Sequence, residues 1–168
     1  MISANVQKAL NSQINEELFS SYLYLSMSAH FEAKNLNGFA NWFKIQSQEE
    51  YDHAMKIYNF VLQKGGKVTL KEIGAPKIDW KSISEVFNDT LKHEQKITGL
   101  INKLVEVAMT EKDFATNTFL QWFVTEQVEE EANVEEIIQK IEMIGDNKSG
   151  LYMLDNELGS RSNAAKVE

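Results

Sequence analysis

Proline and glycine content is the feature of this sequence that most limits its fold. The chain has one proline, Pro76, and eight glycines among 168 residues. Both residue types weaken or break helices, so their scarcity permits long uninterrupted helices. Pro76 lies in residues 66–82, a stretch without helical periodicity, and apolar residues recur at helical spacing on both sides of it. The sequence therefore predicts an all-α fold.

Four long segments and one short segment are predicted as helices. Turn signals at residues 35–38 and at Gly65-Gly66 end the first two, and Ser82-Ile-Ser-Glu85 is a capping box that opens the third. Leu25 is predicted to lie on the apolar stripe of the first helix and therefore in the core. The predicted helices cover about residues 5–34, 39–64, a third segment between the capping box and residue 111, 114–144 and 149–158.

Connection lengths predict the topology. The second helix has about 26 residues and a length of roughly 39 Å. The connection after it has about 17 residues and reaches up to roughly 56 Å, so it can travel the whole length of a bundle. The first and third connections are short and join antiparallel neighbours. We expect a four-helix bundle with one long crossover and a short fifth C-terminal helix, with residues 1–160 as one domain and 161–168 as a polar tail.

Charge and composition exclude several classes of function. The net charge of −8 disfavours binding to the phosphates of nucleic acids. The absence of cysteine excludes disulfides and thiolate metal sites. The N-terminus does not resemble a secretory signal, and no apolar run reaches the roughly 18–20 residues that span a bilayer. The sequence predicts a cytoplasmic protein that binds neither membranes nor nucleic acid.

Each long helix carries a carboxylate on its apolar stripe, near the middle of its length. The four are Glu17, Glu50, Glu94 and Glu130. Burying one unpaired carboxylate costs several kcal/mol, and burying four together adds their mutual repulsion. Because the stripes carry no Lys or Arg, a pair of metal ions is the simplest source of compensating charge.

The spacing on two helices supports a metal site. Glu50 and His53 are three residues apart, so both side chains lie on one face of a helical turn. Ferritin-like di-iron proteins combine single glutamates from two helices with Glu-x-x-His pairs from the others. Here Glu17 and Glu94 match the single glutamates, and the fourth helix carries Gln127-x-x-Glu130 in place of a second Glu-x-x-His pair.

Nearly the whole sequence resembles the bacterial non-haem ferritins. The resemblance is carried by the segments NEELFSSYLYLSMS, QEEYDHAMKIYNFVLQKGG, KHEQKIT and LQWFVTEQVEEE. It implies a cytoplasmic iron-storage protein with ferroxidase activity, in which Fe(II) is oxidised by O2 at a buried di-iron centre. It also implies that Fe(III) is stored as an oxyhydroxide mineral inside a hollow homo-oligomer of twenty-four subunits.

The resemblance further implies roles for individual residues. One iron position would be held by Glu17, Glu50 and His53, and a second by Glu94 and Glu130, with Glu50 bridging. Gln127 would lie close to bound oxygen, and Tyr24 matches a tyrosine beside the centre. The residues implied for a third iron position are Glu49, Glu126, Glu129 and Glu130.

Simpler interpretations stand beside these. A lone Glu-x-x-His is usually surface charge, and Glu126 and Glu129 can belong to a solvated face. Tyr24 can be a core tyrosine with a paired hydroxyl. We interpret His30 and His93 as structural, because neither has a visible ligand partner.

Four related protein classes offer alternatives. Bacterioferritins bind haem through a Met directly after the motif glutamate, where this chain has Tyr51, so no haem is expected. Another di-iron oxidase or peroxidase would need a substrate pocket or an electron-transfer partner, and little sequence lies outside the bundle. A non-catalytic bundle would replace a site residue by Leu, Lys or Arg. Mini-ferritins place their ligands between subunits.

Overall fold

The computed structural model describes residues 2–162, and all regular secondary structure in that part of the chain is helical. Each predicted helix is present, with ends within two residues of the predicted ones. The tail residues 163–168 lie outside the described part. The helices are α1 (Ala4–Glu32), α2 (Asn37–Gln63), α3 (Ile83–Thr110), α4 (Phe114–Ile144) and α5 (Lys148–Gly159).

Four of the five helices begin at a residue whose side chain accepts a backbone N–H of the first turn. Ser82, for example, accepts the Glu85 N–H at 3.1 Å. Helix α2 begins after Leu36, which cannot do this. Its cap comes from α5, where the Asp155 carboxylate accepts the N–H groups of Gly38 and Phe39 at 2.9 and 3.0 Å. This contact attaches α5 to the bundle.

Gly38 is required by the same contact. A Cβ at Gly38 would lie 1.6 Å from the main-chain oxygen of Asp155, a distance that no side chain tolerates. The close approach of α5 to the start of α2 therefore depends on glycine.

The crossover lies along α1 from one end of the bundle to the other. Near its start, the Asn11 amide donates to the Lys67 carbonyl at 2.9 Å. Further along, the Ser26 hydroxyl donates to the Lys77 carbonyl at 2.7 Å. At the end of α1, Lys34 approaches the carbonyl of Trp80, a buried residue, at 3.4 Å. The predicted four-helix bundle with one long crossover is confirmed.

The core consists of two apolar clusters with a polar layer between them. One contains Phe31, Phe39, Phe43 and Phe87 near the α5 end, and the other includes Leu10, Ile57, Ile101 and Phe123 towards the opposite end. Along every helix, the stripe carboxylate falls between residues of these two clusters. The two apolar regions thus exclude water from both sides of the carboxylates.

One predicted core residue is on the surface. Leu25 is 48% exposed, whereas Tyr24 is fully buried. One residue is about 100° of helical rotation, so Leu25 lies well off the buried stripe that Tyr24 shares with Glu17 and Phe31. Within residues 2–162, no helix combines the length and the apolar character needed to cross a membrane.

Candidate metal centre

The predicted ligands meet in the polar layer at the middle of the bundle. They are contributed by all four long helices, since the matched depth of the stripe residues brings them to one level. Seven of them are buried, each with at most 6% of its surface exposed to solvent. These residues are Glu17, Glu50, His53, Glu94, Glu126, Gln127 and Glu130.

On the α1–α2 side of the layer, three ligands form a compact group. Ligand atoms of Glu17, Glu50 and His53 all lie within 4.8 Å of one another. Glu17 Oε1 accepts a hydrogen bond from the Gln13 amide at 2.8 Å. Glu17 Oε2 and Glu50 Oε1 are buried and have no hydrogen-bond partner among the described residues. Unpaired buried oxygens are costly, and a cation between them would remove that cost.

On the α3–α4 side, hydrogen bonds already satisfy Glu94. The Tyr24 hydroxyl donates to Glu94 Oε1, and the Gln127 amide donates to Glu94 Oε2 at 3.1 Å. The Gln46 amide donates to Glu130 Oε2 at 2.9 Å, which leaves the Gln46 amide oxygen buried and unpaired. This side is thus organised by amide and phenol donors.

A second compact group connects the two sides. His53, Glu126 and Glu130 offer ligand atoms within 4.8 Å of one another. The His53 ring is fixed by edge-on contacts with Trp122 and Phe123, whose centroids lie 5.3 and 5.9 Å away. His53 therefore belongs to both groups, and its orientation is set by packing.

Burial raises the pKa of all four stripe carboxylates, and repulsion between them raises it further for Glu17, Glu50 and Glu130. Burial is the main cause in each case. The pKa of Glu17 is also raised by Glu50, and that of Glu50 by Glu94 and Glu130. The pKa of Glu130 rises from 4.5 to about 7, with Glu94 as the next cause after burial. Without a cation, the cluster therefore retains protons at a pH where surface glutamates have lost them.

Several predicted residues stand outside the compact groups. Glu94 and Gln127 belong to neither, although they are hydrogen-bonded to each other beside them. Glu129 is exposed. Glu49 forms an ion pair with Arg161 at 2.7 Å. The assignments of Glu49, Glu126 and Glu129 to a third iron position remain predictions.

Three residues of this region were not predicted as parts of the site. Gln13 lies four residues before Glu17 on one helical face, a spacing that could have indicated it. Gln46 reaches Glu130 on another helix, and Arg161 comes from the predicted tail, so neither contact leaves a local signal. Their partners are known only from the folded structure.

The other two histidines serve packing. His93 is buried, and its Nε2 lies 2.7 Å from the Ser20 hydroxyl. Burial lowers the pKa of His93 to about 4, which keeps the ring neutral. His30 packs edge-on against Trp80 and pairs with Asp79 of the crossover at 3.2 Å. Both contacts fit the predicted structural role.

The family is established by comparison with known proteins. The family model of the ferritin-like domain matches residues 7–144. A bacterial non-heme ferritin of Staphylococcus aureus (strain MRSA252) is 43% identical over 162 residues, which cover 96% of this chain and 98% of that protein. This chain belongs to the bacterial non-haem ferritin family. The ferritin of that name from Bacteroides fragilis (strain 638R) is 44% identical over 161 residues, 96% of this chain and 100% of the relative.

Solved ferritin structures share the fold closely. An open pore ferritin from the hyperthermophilic archaeon Archaeoglobus fulgidus is 48% identical, covers 96% of this chain and all of its own, and gives a TM-score of 0.95. A closed form of that ferritin, engineered by site-directed mutagenesis, is 47% identical with a TM-score of 0.96, over 98% of this chain and 100% of its own. The expected function, iron storage with ferroxidase activity, is confirmed for this ferritin.

Proposed function

We propose that the polar layer is the ferroxidase centre and that it binds two Fe(II) ions per subunit. Glu17, Glu50 and His53 hold the first ion. Glu94 and Glu130 hold the second, with Glu50 bridging. Carboxylate oxygens are hard anionic ligands that stabilise Fe(III) relative to Fe(II), and the His53 imidazole is the one softer donor.

The unpaired oxygens of Glu17 and Glu50 carry this proposal. Glu17 Oε2 and Glu50 Oε1 are buried with no donor other than a proton shared between the two carboxyl groups, in a group whose ligand atoms already lie within 4.8 Å of one another. A purely structural polar layer would pair such atoms, because each unpaired one costs about 1–3 kcal/mol. A bound cation supplies the missing partner.

The proposed reaction uses both positions together. Each Fe(II) gives up one electron, so O2 accepts two electrons together with two protons. The product is hydrogen peroxide, and superoxide is not released. Gln127, whose amide reaches both Glu94 and the Thr98 hydroxyl, lies where it can orient the oxygen. Fe(III) then leaves for the mineral, and the vacated carboxylates bind Fe(II) again. Protons held by the cluster are released when metal binds.

We also propose roles for Tyr24 and for a third iron position. Tyr24 donates to Glu94 from a fully buried position, so it can fix that ligand and supply an electron. A third iron position built from Glu49, Glu126, Glu129 and Glu130 is supported by the group of His53, Glu126 and Glu130. No haem is expected, because Tyr51 stands where a haem Met would be.

A hollow homo-oligomer of twenty-four subunits is proposed as the store. Large apolar side chains are exposed on the crossover, at helix ends and on α5, as expected for a chain that packs against copies of itself. The cytoplasmic location stays a prediction. The most exposed of these side chains are Leu70, Ile78, Met109, Phe114, Met143, Tyr152 and Met153.

Aerobic addition of Fe(II) to the apoprotein tests the function. We expect a large particle that holds far more iron than two ions per subunit and consumes O2. Glu142→Gln, which removes an exposed carboxylate on the same helix as Glu130, is the matched control and should store iron normally. Iron content that stops at the stoichiometry of the centre would contradict storage.

A further inference from the structure

Arg161 lies between the C-terminal helix and the candidate centre. Its Nη2 contacts Glu49 Oε2 at 2.7 Å, and its guanidinium carbon lies 5.0 Å from the centre of the Trp42 ring. The two charged side chains are 24% and 18% exposed, so the pair is largely shielded from solvent. Such a pair is screened less by salt than a surface ion pair.

Arg161 is held in this place by its backbone. The Asn41 amide donates to the carbonyl oxygens of Arg161 and Leu158 at 3.1 and 3.4 Å. Asp155 attaches the same helix to the start of α2 through Gly38 and Phe39. The docking of α5 therefore delivers a positive charge to Glu49, which lies on α2 directly before the proposed bridging ligand.

The Glu49 charge acts on the centre. Glu49 directly precedes Glu50 on α2, and its negative charge is among the causes that raise the pKa of Glu50 and Glu130. Glu49 is nevertheless absent from the two compact ligand groups of the described residues, and Arg161 is its partner. The carboxylate implied for a third iron position is thus occupied by a cation from the chain itself.

We propose that Arg161 competes with the third metal ion for Glu49. Resting on the proposed function, this inference assigns Arg161 the role of setting the affinity of the third position while leaving the first two unchanged. The first two use Glu17, Glu50, His53 and Glu94, none of which contacts Arg161 in the described structure. A third ion must compete with the guanidinium for the Glu49 carboxylate, of which Arg161 contacts Oε2.

Arginine makes this competition different from competition by protons. Its guanidinium stays charged at any pH that the protein experiences. One of its nitrogens, Nη2, contacts Glu49, and Nη1 is buried without a hydrogen-bond partner among the described residues. Protons on the buried carboxylates are lost as pH rises, whereas Arg161 continues to occupy Glu49. The chain therefore ranks its positions, because iron fills the first two before it displaces Arg161.

Anaerobic titration with Co(II), a redox-stable substitute for Fe(II), tests the proposal. We expect two tight ions and a weaker third in the wild-type oligomer. In Arg161→Gln the third ion should bind about tenfold more tightly, a change in the range seen for residues that contact metal ligands, while the first two do not change. The control is Lys140→Gln, which removes a cation of α4 that pairs with Glu136 of α4 and Glu157 of α5. It should change the affinity of none of the three ions.

Glu49→Gln in both backgrounds identifies the carboxylate concerned. The third ion should be lost, and adding Arg161→Gln to Glu49→Gln should bring no gain. Arg161→Lys keeps the charge and should give an intermediate affinity, which covers the case in which Arg161→Gln disturbs α5.

An unchanged third affinity in Arg161→Gln, or an equal gain without Glu49, would overturn the proposal. If the wild-type protein did not bind the first two ions tightly, the proposed ferroxidase centre would be overturned instead. The two failures are therefore distinguishable.

Discussion

The two sides of the polar layer differ in how the oxygens of their buried carboxylates are hydrogen-bonded. On the α1–α2 side, Glu17 and Glu50 each keep one buried oxygen without a donor. On the α3–α4 side, both oxygens of Glu94 accept hydrogen bonds, from Tyr24 and Gln127. The first arrangement leaves a cost of about 1–3 kcal/mol for each unpaired carboxylate oxygen. On the α3–α4 side the unpaired oxygen belongs to the neutral Gln46 amide and not to Glu94.

This difference predicts an order of metal binding. A cation on the α1–α2 side gains oxygens that have no partner to give up. A cation on the α3–α4 side must share Glu94 and Glu130 with the donors that already hold them. We therefore expect the first ion to bind more tightly on the α1–α2 side, and the donors of the α3–α4 side to hold its ligands ready until the second arrives.

Glu50→Gln should have the largest effect, because Glu50 is proposed to serve both sides. The substitution removes a repelling charge, so the apoprotein should become slightly more stable. Stabilisation by Zn(II), a redox-inert substitute for Fe(II), should mostly disappear, and oxidation of Fe(II) should slow by about 100-fold or more. Thermal melts with and without zinc and O2 consumption measure both effects. A variant with the full zinc shift would show that Glu50 does not bridge.

Glu94→Ala should break only the α3–α4 side. We expect one ion per subunit to remain bound with nearly its original affinity, while oxidation by O2 slows sharply because the second electron donor is missing. Binding stoichiometry, oxidation rate and circular dichroism should be measured together. If both ions were lost while the helices stayed intact, the two sides would not be independent.

The stability of the apoprotein should depend on pH in the direction set by the raised pKa values. With Glu130 at about 7 against 4.5 in the unfolded chain, the folded state binds more protons than the unfolded one. The contribution of Glu130 is therefore most favourable at acidic pH and is lost as pH rises from about 4.5 to about 7. Glu17 and Glu50 shift in the same direction.

Melting temperatures across that pH range check this expectation. The apoprotein should lose stability as pH rises, and the stabilisation by zinc should grow, since metal replaces the protons. An apoprotein whose stability increased between pH 4.5 and 7 would show that the carboxylates are not crowded as the structure indicates.

Substitutions of two amide side chains, one on each side of the layer, test whether the two metal positions are independent. Gln13 donates to Glu17 on one side, and Gln46 donates to Glu130 on the other. Gln13→Leu should weaken the first ion by about tenfold and Gln46→Leu the second, each with little change in the other. Anaerobic titration of both variants provides the comparison. Equal weakening of both ions by either variant would mean that the layer acts as one unit.

Tyr24→Phe should have the smallest effect. It removes the hydroxyl that donates to Glu94 and keeps the ring in its packing against His93 and Phe43. Loss of one hydrogen bond that holds a ligand should weaken the binding of the second ion about fivefold. A much larger loss of oxidation rate at unchanged affinity would indicate that Tyr24 also supplies an electron.

Local patterns were enough to predict most of the fold and the carboxylates that meet in the polar layer. Helix α4 begins and ends where its caps and periodicity place it, and Glu17 was found because it interrupts an apolar stripe. Contacts distant in sequence could not be predicted in this way. Asp155 caps a helix that begins more than a hundred residues earlier, and Arg161 pairs with Glu49 over a similar separation. Leu25 was misplaced because a stripe in a long helix can be followed one residue out of phase.

Anaerobic titration of the apoprotein with Fe(II), followed by heat and by proton release, tests the central claim most directly. Two saturable ions per subunit should bind in steps, the first more tightly, and each step should release protons from the carboxylates of the layer. In Glu94→Ala only the second step should be lost. The absence of saturable binding in the wild-type protein would contradict the assignment of Glu17, Glu50, His53, Glu94 and Glu130 as a di-iron centre.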